Sequence, residues 1–506
     1  MKIAVIDIGT NSIHMLIVEL HRHGSFEVIG REKEMVRLGD KTLEAGYLSN
    51  EVMQRGLQAI QKFHHLAKSR GVSKILAVAT SAVREAKNGG RFIQKIRNTT
   101  GIKAQIISGE EEGRLIYLGV KNSMELKPGN TLIIDIGGGS VEIMVVNRQK
   151  ILFLKSLKMG VARLKDLFLK KEEPKAIKKL EGYVSALLEP FMPEIKKLGF
   201  SEAIGTSGTL NNLASMAYWQ KKKLSEGVFR DEILSLSALK KIDRQLRRTA
   251  ADQRSQIKGL DAKRSDLILG GAAATLVLMK KLKIQSFHLC DKAIREGMVY
   301  DYIEKHYSKQ NRITKIFNVR LRSVLSLAQR CDYNKRHAEQ VTKLALTIFD
   351  DLETLHALSP VDRELLHYAA LLHDIGYHIS YEDHHRHAYY LIKNAELSGF
   401  SEEEIHIMAL AVRYHRGTLS KKNQLELRTL PKSLRGRIEW LGAILRLADA
   451  LDRSHFSLVE KVSAQILKNS IRLRIFSKKN FEYEYDEAQI KSDFLSMLTH
   501  KKIIVA

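Results

Sequence analysis

The sequence predicts two duplicated α/β lobes, followed by an all-α domain and a small α+β domain. Two segments, KIAVIDIGTNSIHMLIVE and TLIIDIGGGSVEIMVV, share the order strand, Asp-Ile-Gly-x-x-Ser turn, strand. Their aspartates are residues 7 and 135, and a repeat 128 residues long indicates duplicated domains rather than a solenoid. From about residue 312 the apolar residues recur with helical spacing, and after residue 459 they alternate as in strands.

The first repeat is expected to open a lobe built strand first. Apolar, β-branched runs predict its strands, and a longer amphipathic segment that Ser49 or Asn50 caps predicts its first long helix. The strands are expected at 3–6, 13–20, 26–30, 75–79 and 104–107, and the helices at 50–70 and 91–99. We place the domains at 1–125, 126–308, 312–458 and 459–506, with one helix beside the sheet of the last domain.

Charge is the unusual feature of the composition. The 506 residues include 83 Lys and Arg against 57 Asp and Glu, a net charge of +26, which favours a polyanionic partner. Basic pairs and triplets crowd residues 170–248, including Lys221 to Lys223, although each alone is typical of a solvated helix face. The sequence contains no recognised nucleic-acid module, so no specific nucleic-acid partner is predicted.

The remaining composition indicates a soluble cytoplasmic protein. Two cysteines, Cys290 and Cys331, cannot form a disulfide framework. No segment reaches the ~18 consecutive apolar residues of a membrane helix. Asp7 interrupts the first apolar run too early for a secretory signal, and we expect no membrane partner.

Three glycine-rich turns are candidates for phosphate binding. A glycine turn after a strand exposes backbone N–H groups, and a neighbouring hydroxyl adds a further donor. The aspartate before each of the first two turns is placed to hold Mg²⁺ against phosphate oxygens. The candidate phosphate-binding residues are Gly9, Thr10, Asn11 and Ser12 in the first turn, Gly137, Gly138, Gly139 and Ser140 in the second, and Gly205, Ser207, Gly208 and Thr209 in the third.

The motifs together resemble the exopolyphosphatase and guanosine pentaphosphate phosphohydrolase family, Ppx/GppA. The matching stretches are VIDIGTNSIHMLIVE, TSAVREA, IISGEEEGRLIYLGV, LIIDIGGGSVE, GTSGT and DKAIREGMVYD, and LLHDIGYHI, HHRHAYYLI and VRYHRG match its long-form members. The resemblance implies RNase H-like lobes of the actin, sugar-kinase and Hsp70 superfamily. It also implies a carboxyl-terminal HD-like domain.

The resemblance also implies the catalytic residues. The family's catalytic carboxylate lies in the stretch SGEEEGR and falls on Glu112, with Glu111 as the alternative register. Three glutamates would also suit an exposed helix N-terminus. Arg84 matches the arginine of TSAVREA and is expected to grip phosphate oxygens. Asp135, Glu142 and Asp7 are the expected Mg²⁺ ligands, and Glu142 could instead be a strand residue facing solvent.

A second set of candidates lies in the helical domain. The order His337, His373-Asp374, Asp449 resembles HD-superfamily metal phosphohydrolases, which implies a site for Mn, Fe or Ni. Such a site could act on a nucleotide-like substrate. The alternative is a vestigial domain whose histidines, including those at 384–387 and His415, pack or bind phosphate as cations.

The predicted function is exopolyphosphatase activity. The enzyme is expected to release the terminal phosphate of inorganic polyphosphate with Mg²⁺ and to act as a homodimer. Guanosine pentaphosphate is the alternative substrate within the family. An actin-like nucleotide-binding switch protein is the alternative of a different class, and ATP turnover without polyphosphate turnover would support it.

Overall fold

A computed structural model describes residues 1–21, 25–221, 233–307, 318–416, 427 and 430–506, without the side chain of residue 221. Contacts divide these residues into two units, which end and begin on either side of residues 308–317. The predicted boundary at 308–312 and the lysines at 222 and 223 lie outside the described residues. The other predicted domain boundaries stay predictions.

The first lobe carries a five-stranded sheet in the order β3-β2-β1-β4-β5. The first three strands pair antiparallel, and β4 and β5 add parallel to β1. The strands are β1 Lys2–Ile8, β2 Ile13–Leu20, β3 Phe26–Glu34, β4 Lys74–Ala79 and β5 Ala104–Ile106. The helices are α1 Thr42–Ala45, α2 Asn50–Ser69, α3 Ser81–Glu85, α4 Gly89–Thr100 and α5 Gly109–Lys121.

The second lobe repeats this topology in the order β8-β7-β6-β9-β11, and a short strand β10 adds antiparallel to β11. Its strands are β6 Thr131–Ile136, β7 Val141–Val146, β8 Ile151–Leu157, β9 Glu202–Thr206, β10 Ile233–Ser235 and β11 Ser286–Cys290. Its helices are α6 Val161–Phe168, α7 Pro174–Leu188, α8 Met192–Leu198, α9 Ser207–Lys221, α10 Leu236–Arg248, α11 Ile268–Lys281 and α12 Ile294–Tyr307. Three-residue 3₁₀ turns stand at Glu189–Phe191, Arg254–Gln256 and Ala262–Arg264.

The shared strand order confirms the predicted duplication and is the topology of the actin-like ATPase fold. Strands β6 and β7 are buried along their whole length, as expected for the centre of a sheet covered on both faces. A separate apolar core joins the lobes, because Met298 and Val299 of α12 pack with Leu115 and Ile116 of α5. Ser49 is the residue that caps α2, since its side chain accepts from the amide of Val52.

The second unit is helical, as the periodicity predicts. Its helices are α13 Val319–Arg330, α14 Lys335–Asp351, α15 Glu353–His356, α16 Pro360–Leu372, α17 His384–Asn394, α18 Glu402–Tyr414 and α19 Lys432–Ala450, with a 3₁₀ turn at Ile375–His378. Pro360 at the first position of α16 and a capping box between Ser359 and Asp362 fix where that helix begins.

The chain ends in a three-stranded sheet of β12 Lys461–Ile466, β13 Ser470–Phe476 and β14 Lys502–Val505. Two helices, α20 Glu482–Lys491 and α21 Asp493–Thr499, precede β14, so the prediction of one helix was wrong. The reason is a break near Ser492, which splits the predicted helix in two. The apolar face of this sheet belongs to the same core as the helices before it. Among the described residues, no helix combines the length and apolar character that crossing a membrane requires.

Candidate active site

The two Asp-Ile-Gly-x-x-Ser segments form turns of the same geometry. The amide of Gly9 donates to the carbonyl of Ser12 at 3.1 Å, and the amide of Gly137 donates to the carbonyl of Ser140 at 3.0 Å. A Cβ added to Gly9 would lie 2.9 Å from the Ser12 oxygen, so the closure is too tight for a side chain. Glycine turns of this kind bind phosphate oxygens through backbone N–H groups.

The two turns meet between the lobes. A Cβ added to Gly138 would lie 3.0 Å from the Cβ of Thr10 and 3.5 Å from the Cβ of Asn11. One added to Gly139 would lie 2.3 Å from Oγ of Ser81 and 2.8 Å from Oγ1 of Thr10. The structure therefore brings the predicted residues of both turns into one surface, because the glycines allow the backbones to approach.

The third turn differs from its predicted extent. Strand β9 continues to Thr206, so Gly205 lies inside the strand, where an added Cβ would come 2.6 Å from Cδ1 of Leu210. The prediction that Gly205 belongs to the turn was wrong, because β9 extends beyond its apolar residues Ala203 and Ile204 to Thr206. Ser207 has a φ of 86°, a strained conformation for a residue other than glycine. Its hydroxyl donates to the carbonyl of Ile136 at 2.6 Å, which links the turn to the end of β6.

Helix α9 begins directly at this turn. Its first residues include Gly208 and the buried Thr209, and a helix N-terminus offers free amides to an anion. A Cβ added to Gly208 would lie 2.3 Å from Nη2 of Arg264. The third turn therefore places a guanidinium beside the amides of α9.

Acidic side chains end the first strand of each lobe. Asp7 lies opposite His14 in the register of β1 and β2, and Asp135 lies opposite Glu142 in the register of β6 and β7. Glu142 is 1% exposed, so the alternative that it faces solvent was wrong. The antiparallel pairing explains this, because directly opposed residues point to the same face of a sheet.

Two carboxylate oxygens of this group are buried without a hydrogen-bond partner among the described residues. They are Oδ1 of Asp7 and Oε2 of Glu142. The other oxygen of Glu142 accepts from the Ser156 hydroxyl at 2.7 Å, and Oδ2 of Asp135 accepts a short hydrogen bond from Thr206. Unpaired buried carboxylate oxygens beside a phosphate-binding turn fit the ligand preference of a hard divalent cation.

Burial raises the pKa of each of these acids. It raises the pKa of Asp135 to about 6 against the Thr206 hydrogen bond, and that of Asp7 to about 7, with Arg295 opposing. The pKa of Glu142 is raised well above its usual range by burial and by the charges of Glu112 and Asp135. Protons would therefore compete with a cation for these oxygens.

Glu112 points into this group from the first turn of α5. Ser108 caps the helix by accepting from the amide of Glu111 at 3.1 Å, so the three glutamates do stand at a helix N-terminus. Nη1 of Arg84 donates to Oε2 of Glu112 at 2.9 Å and to the carbonyl of Ile107 at 3.0 Å. Burial raises the pKa of Glu112 to about 7, Arg84 lowers it, and Asp7 and Asp135 add to the rise.

The two neighbouring glutamates of the triplet point elsewhere. Glu111 makes two hydrogen bonds with Arg114, at 2.7 and 2.8 Å, and Arg114 also donates to Asp301. Glu110 is exposed, and hydrogen bonds from its own amide and from Ser108 lower its pKa. Helical geometry separates consecutive side chains by ~100°, so only one of the three faces the turns.

Three cations of the same unit lie near His14, and the sequence predicted none of them as a site residue. Burial lowers the pKa of His14 to about 3, and the nearby charges of Arg295, Lys33 and Arg264 lower it further. His14 is therefore neutral at physiological pH. Arg295 stands in the DKAIREG motif, which is the sequence signal that could have identified it as a site residue. Lys33 and Arg264 lie in no motif.

A second group missed from the sequence ties the lobes together. Oε1 of Glu85 accepts from Ser81 at 2.7 Å within the first lobe and from Arg163 of the second lobe at 2.6 Å. Lys158 lies 3.2 Å from the other oxygen of Glu85. Arg163 also donates to the carbonyl of Gly139 at 3.0 Å, so this ion pair holds the second turn in place.

The helical unit brings its four predicted ligands together. Nε2 of His337 lies 3.1 Å from Nε2 of His373 and 3.4 Å from carboxylate oxygens of Asp374 and Asp449. Nε2 of His373 lies 3.5 Å from each of the same two oxygens. Ligand atoms about 2.1 Å from a transition metal stand roughly 3.0–3.5 Å apart, so these spacings fit a metal polyhedron.

Hydrogen bonds on the far side of both rings fix their tautomers. Nδ1 of His373 donates to the carbonyl of Ala370 at 2.7 Å, and Nδ1 of His337 donates to Asp452 at 2.8 Å. Since a carbonyl only accepts, Nε2 of His373 is left with its lone pair toward the cluster. Asp452 is fully buried and was not predicted, although it follows Asp449 by one helical turn. A carboxylate behind a ligating imidazole is the usual support of a metal site.

The charges of this cluster are strongly coupled. Burial disfavours the charged ring of His337, but the neighbouring carboxylates of Asp374, Asp449 and Asp452 outweigh it and raise the pKa to about 11. Burial works against the charged form of Asp449, and the hydrogen bonds with His337 and His373 lower its pKa well below the usual range. The centre of the cluster therefore attracts positive charge.

Two protein-family sequence models, both of the same family, match nearly all of the helices and strands described above. The Ppx/GppA phosphatase family matches residues 16–306, and Ppx/GppA phosphatase domain III matches residues 319–494. The chain belongs to the Ppx/GppA phosphatase family. Members of the Ppx/GppA family are phosphoanhydride hydrolases that act on polyphosphate or guanosine pentaphosphate and generally require a divalent metal, and the chain is an enzyme of this class.

Individual relatives agree with this assignment to the Ppx/GppA family. A guanosine-5'-triphosphate,3'-diphosphate pyrophosphatase of Photobacterium profundum is 31% identical over 422 residues, which are 82% of this chain and 81% of that protein. A crystal structure of an exopolyphosphatase from Cytophaga hutchinsonii is 28% identical with a TM-score of 0.56, covering 60% of this chain and 98% of that one. The Ppx/GppA family member of Aquifex aeolicus is 25% identical with a TM-score of 0.50, over 60% and 98% of the two chains.

Proposed function

We propose that the protein is a Mg²⁺-dependent exopolyphosphatase. The observation that carries the proposal is the convergence of Asp7, Glu112, Asp135 and Glu142 on two touching glycine turns. Phosphoryl transfer needs backbone donors for the phosphate oxygens, a cation to offset their charge, and a group that orients water. This unit contains residues suited to each of the three tasks.

Glu112 is proposed as the general base. A carboxylate with a pKa of about 7 is half deprotonated near neutrality, which suits proton abstraction from water at physiological pH. The water oxygen attacks the terminal phosphorus, its proton passes to Glu112, and the P–O bond to the next phosphate breaks. Arg84 holds the Glu112 carboxylate and offers its remaining N–H groups to the phosphate.

Asp135, Glu142 and Asp7 are the proposed Mg²⁺ residues. When bound, the ion offsets charge on the transferred phosphate and on the leaving oxygen. Asp135 ranks first because it stands at the end of β6 beside the glycine-richer turn, and its second oxygen is fixed by Thr206. The glycine turns hold the terminal phosphate through their amides, with Ser12 and Ser140 as additional donors.

Inorganic polyphosphate is the proposed substrate. Lys33, Arg264 and Arg295 lie near His14 beside the turns and would offset the charge of phosphates behind the terminal one. Guanosine pentaphosphate is a second candidate, because the relative from Photobacterium profundum carries the name of that activity. The charges alone favour any substrate with several phosphates.

A phosphate-release assay on long polyphosphate, guanosine pentaphosphate and ATP tests the proposal, with Glu112→Gln as the control for contaminating phosphatase. We expect the highest kcat/KM for polyphosphate. A higher value for guanosine pentaphosphate would replace the proposed substrate with the second candidate. Turnover of ATP alone would overturn both. Light scattering of the same sample tests the expected homodimer.

We also propose a transition-metal site in the helical unit, held by His337, His373, Asp374 and Asp449. Two imidazoles and two carboxylates suit Mn, Fe or Ni and leave coordination positions for water. Elemental analysis of chain purified without chelator, compared with His373→Ala/Asp374→Ala, tests it. Equal metal content in both would reduce the four residues to a remnant of an HD-like fold.

A further inference from the structure

The first turn of helix α6 binds the second glycine turn through its backbone. Amides at the start of the helix donate to the carbonyls of all three glycines, which satisfies donors that a helix N-terminus leaves without a partner inside the helix. The bonds run from the amides of Gly160, Val161 and Ala162 to the carbonyls of Gly139, Gly137 and Gly138, at 3.2, 3.0 and 2.8 Å. The turn and the helix therefore form one hydrogen-bonded unit.

These bonds fix the direction of the peptide groups in the turn. In a trans peptide, the carbonyl of one residue points opposite to the amide N–H of the next. Each carbonyl that accepts from α6 therefore turns the following amide, that of Gly138, Gly139 or Ser140, away from the helix. A glycine at Gly160 permits this contact, because an added Cβ would lie 2.4 Å from the carbonyl carbons of Gly138 and Gly139. The amides proposed to hold the terminal phosphate thus take their direction from α6.

The carbonyl of Gly139 accepts a further hydrogen bond, from a side chain. Nε of Arg163 donates to it at 3.0 Å, and Nη2 of the same guanidinium donates to Oε1 of Glu85 at 2.6 Å. The side chain of Arg163 is 8% exposed, and Glu85 belongs to the first lobe. A buried cation without its partner is strongly destabilising. The guanidinium of the second lobe therefore depends on a carboxylate that only the first lobe supplies.

Helix α3 of the first lobe connects this ion pair to the proposed general base. It is five residues long and carries Ser81, Arg84 and Glu85. Arg84 donates to Glu112 at 2.9 Å, and the Ser81 hydroxyl donates to Glu85 at 2.7 Å. One short helix therefore contacts the base directly and the second glycine turn through Arg163.

Glu85 is ionised near neutral pH. Burial works against its charged form, but the hydrogen bond from Ser81 and the charges of Arg163 and Lys158 outweigh burial and lower its pKa. The contact with Arg163 is therefore a charge-assisted hydrogen bond, which is stronger than one between neutral groups.

We propose that the ion pair of Glu85 and Arg163 couples closure of the two lobes to the orientation of the peptide between Gly139 and Ser140. Both side chains are then positioning residues for hydrolysis, because they act through the glycine turn. When the lobes separate, Arg163 loses its carboxylate and the Gly139 carbonyl loses its link to the first lobe. The inference rests on the proposed role of the second turn in holding the terminal phosphate.

Kinetics of three variants test the positioning role. The substrate is whichever of polyphosphate and guanosine pentaphosphate the unsubstituted chain hydrolyses faster. Glu85→Gln and Arg163→Ala should each lower kcat ~10–100-fold, because a small misplacement of the reacting groups is costly. Glu44→Gln is the matched control, since Glu44 forms an exposed ion pair with Lys170 of the second lobe at 2.9 Å, separate from the α3 network. Its kcat should change less than about twofold.

Added guanidinium ion separates positioning from folding. At millimolar concentration it should raise the kcat of Arg163→Ala in a saturable manner, because it can occupy the space of the lost side chain between Glu85 and the Gly139 carbonyl. Sodium chloride at the same ionic strength should not. The double variant Glu85→Gln/Arg163→Ala should show no rescue. Failure to rescue Arg163→Ala, or equal rescue in the double variant, would overturn the positioning role.

Double electron–electron resonance tests the coupling to lobe closure. Spin labels at Gln94→Cys of α4 and Lys178→Cys of α7 occupy exposed positions on different lobes, and both native cysteines are buried. With tripolyphosphate bound to a labelled chain that also carries Glu112→Gln, we expect one narrow distance between the labels. Adding Glu85→Gln should introduce a second, broader population. An identical distribution with and without Glu85→Gln would overturn the coupling.

The outcomes keep this inference apart from the proposed function. Hydrolysis of guanosine pentaphosphate alone would overturn the proposed substrate, and full activity of Glu112→Gln would overturn the proposed base. Neither result changes the comparison of Glu85→Gln with Glu44→Gln. Unchanged kcat in both Glu85→Gln and Arg163→Ala would overturn the inference and leave the proposed function standing.

Discussion

Glu142 stands directly opposite Asp135 in the β6–β7 pair, at the position that His14 occupies opposite Asp7 in the β1–β2 pair. The duplicated scaffold therefore carries two acids in the second lobe and one acid with a neutral imidazole in the first. His14 lies 2.7 Å from the Ser12 hydroxyl, and its low pKa keeps it uncharged. The second lobe is the better side for a cation, and the first lobe contributes mainly backbone and hydroxyl donors.

Asp135→Asn is expected to raise the Mg²⁺ concentration required for half-maximal activity at least ~10-fold, because a charged ligand to a hard cation is lost. Ser12→Ala removes one neutral donor among several amides and should change that concentration much less. Mg²⁺ titrations of phosphate release compare the two variants. An unchanged requirement in Asp135→Asn would remove this residue from the metal site.

Glu112→Gln should lower kcat ~10²–10⁴-fold, the usual loss when a general base is removed. Glu111→Gln is the matched control, since Glu111 pairs with Arg114 away from the turns and should retain most activity. Equilibrium binding of polyphosphate should survive in both. The opposite ranking of the two variants would move the catalytic register to Glu111.

Stability of the Mg²⁺-free amino-terminal unit should fall as pH rises from about 4 to 7. Asp7, Asp135 and Glu112 have folded pKa values of about 7, 6 and 7, against 3.8 for aspartate and 4.5 for glutamate. The folded state binds more protons than the unfolded state across this interval. The resulting stabilisation is therefore complete at a pH below the ordinary pKa values and is lost as the pH rises through the folded ones. Differential scanning calorimetry across pH measures the trend.

Mg²⁺ should reverse that trend at pH 8, where the carboxylates are free of protons. At about one hundred times its Kd, a ligand of the folded state adds about 2.7 kcal/mol. At pH 5 the same concentration should add much less, because protons compete for the oxygens. The Asp7→Asn/Asp135→Asn chain should lose most of the pH trend and the Mg²⁺ effect together, and a full Mg²⁺ effect in that chain would contradict the assignment.

Arg264→Ala is expected to raise the KM for long polyphosphate about tenfold or more, since a hydrogen bond to a charged group contributes about 1.5–3 kcal/mol. The exposed neighbour Lys263 supplies the control variant Lys263→Ala, with a smaller effect. In high salt the effect of Lys263→Ala on KM should shrink. The effect of Arg264→Ala should persist, because Arg264 packs against the turn at Gly208. Equal KM values would exclude Arg264 from substrate binding.

Asp452→Asn should weaken metal binding in the helical unit about 10–100-fold, the usual cost of removing the partner of a ligating imidazole. The substitution keeps a hydrogen-bond acceptor for His337 but removes the buried charge behind it. Metal titration of the full chain measures the affinity, with the exposed Asp486→Asn as the control. Equal affinity in both variants would show that His337 needs no support from Asp452.

Patterns among neighbouring residues were sufficient to predict a feature that lies within a single helix, strand or turn. The repeat around Asp7 and Asp135, a helix cap at Ser49 or Asn50 and the helical texture from about residue 312 were all predictable from neighbouring residues. The extent of β9 was not, because Gly205 belongs to the strand through its pairing with Ile134 of β6 and Leu289 of β11, which are distant in the chain.

The sequence by itself determined the duplicated lobes, the family and the list of chemical groups, because motifs, spacing and periodicity are properties of the chain. Only the tertiary structure decided that Glu112 rather than Glu111 faces the turns, that Glu142 is buried, and that Lys33, Arg264 and Arg295 lie near His14. Only it placed Asp374 between two groups of histidines. The physical reason is that burial, pKa and ligand spacing depend on side chains from distant elements, and the distances between those elements are set by packing rather than by order along the chain.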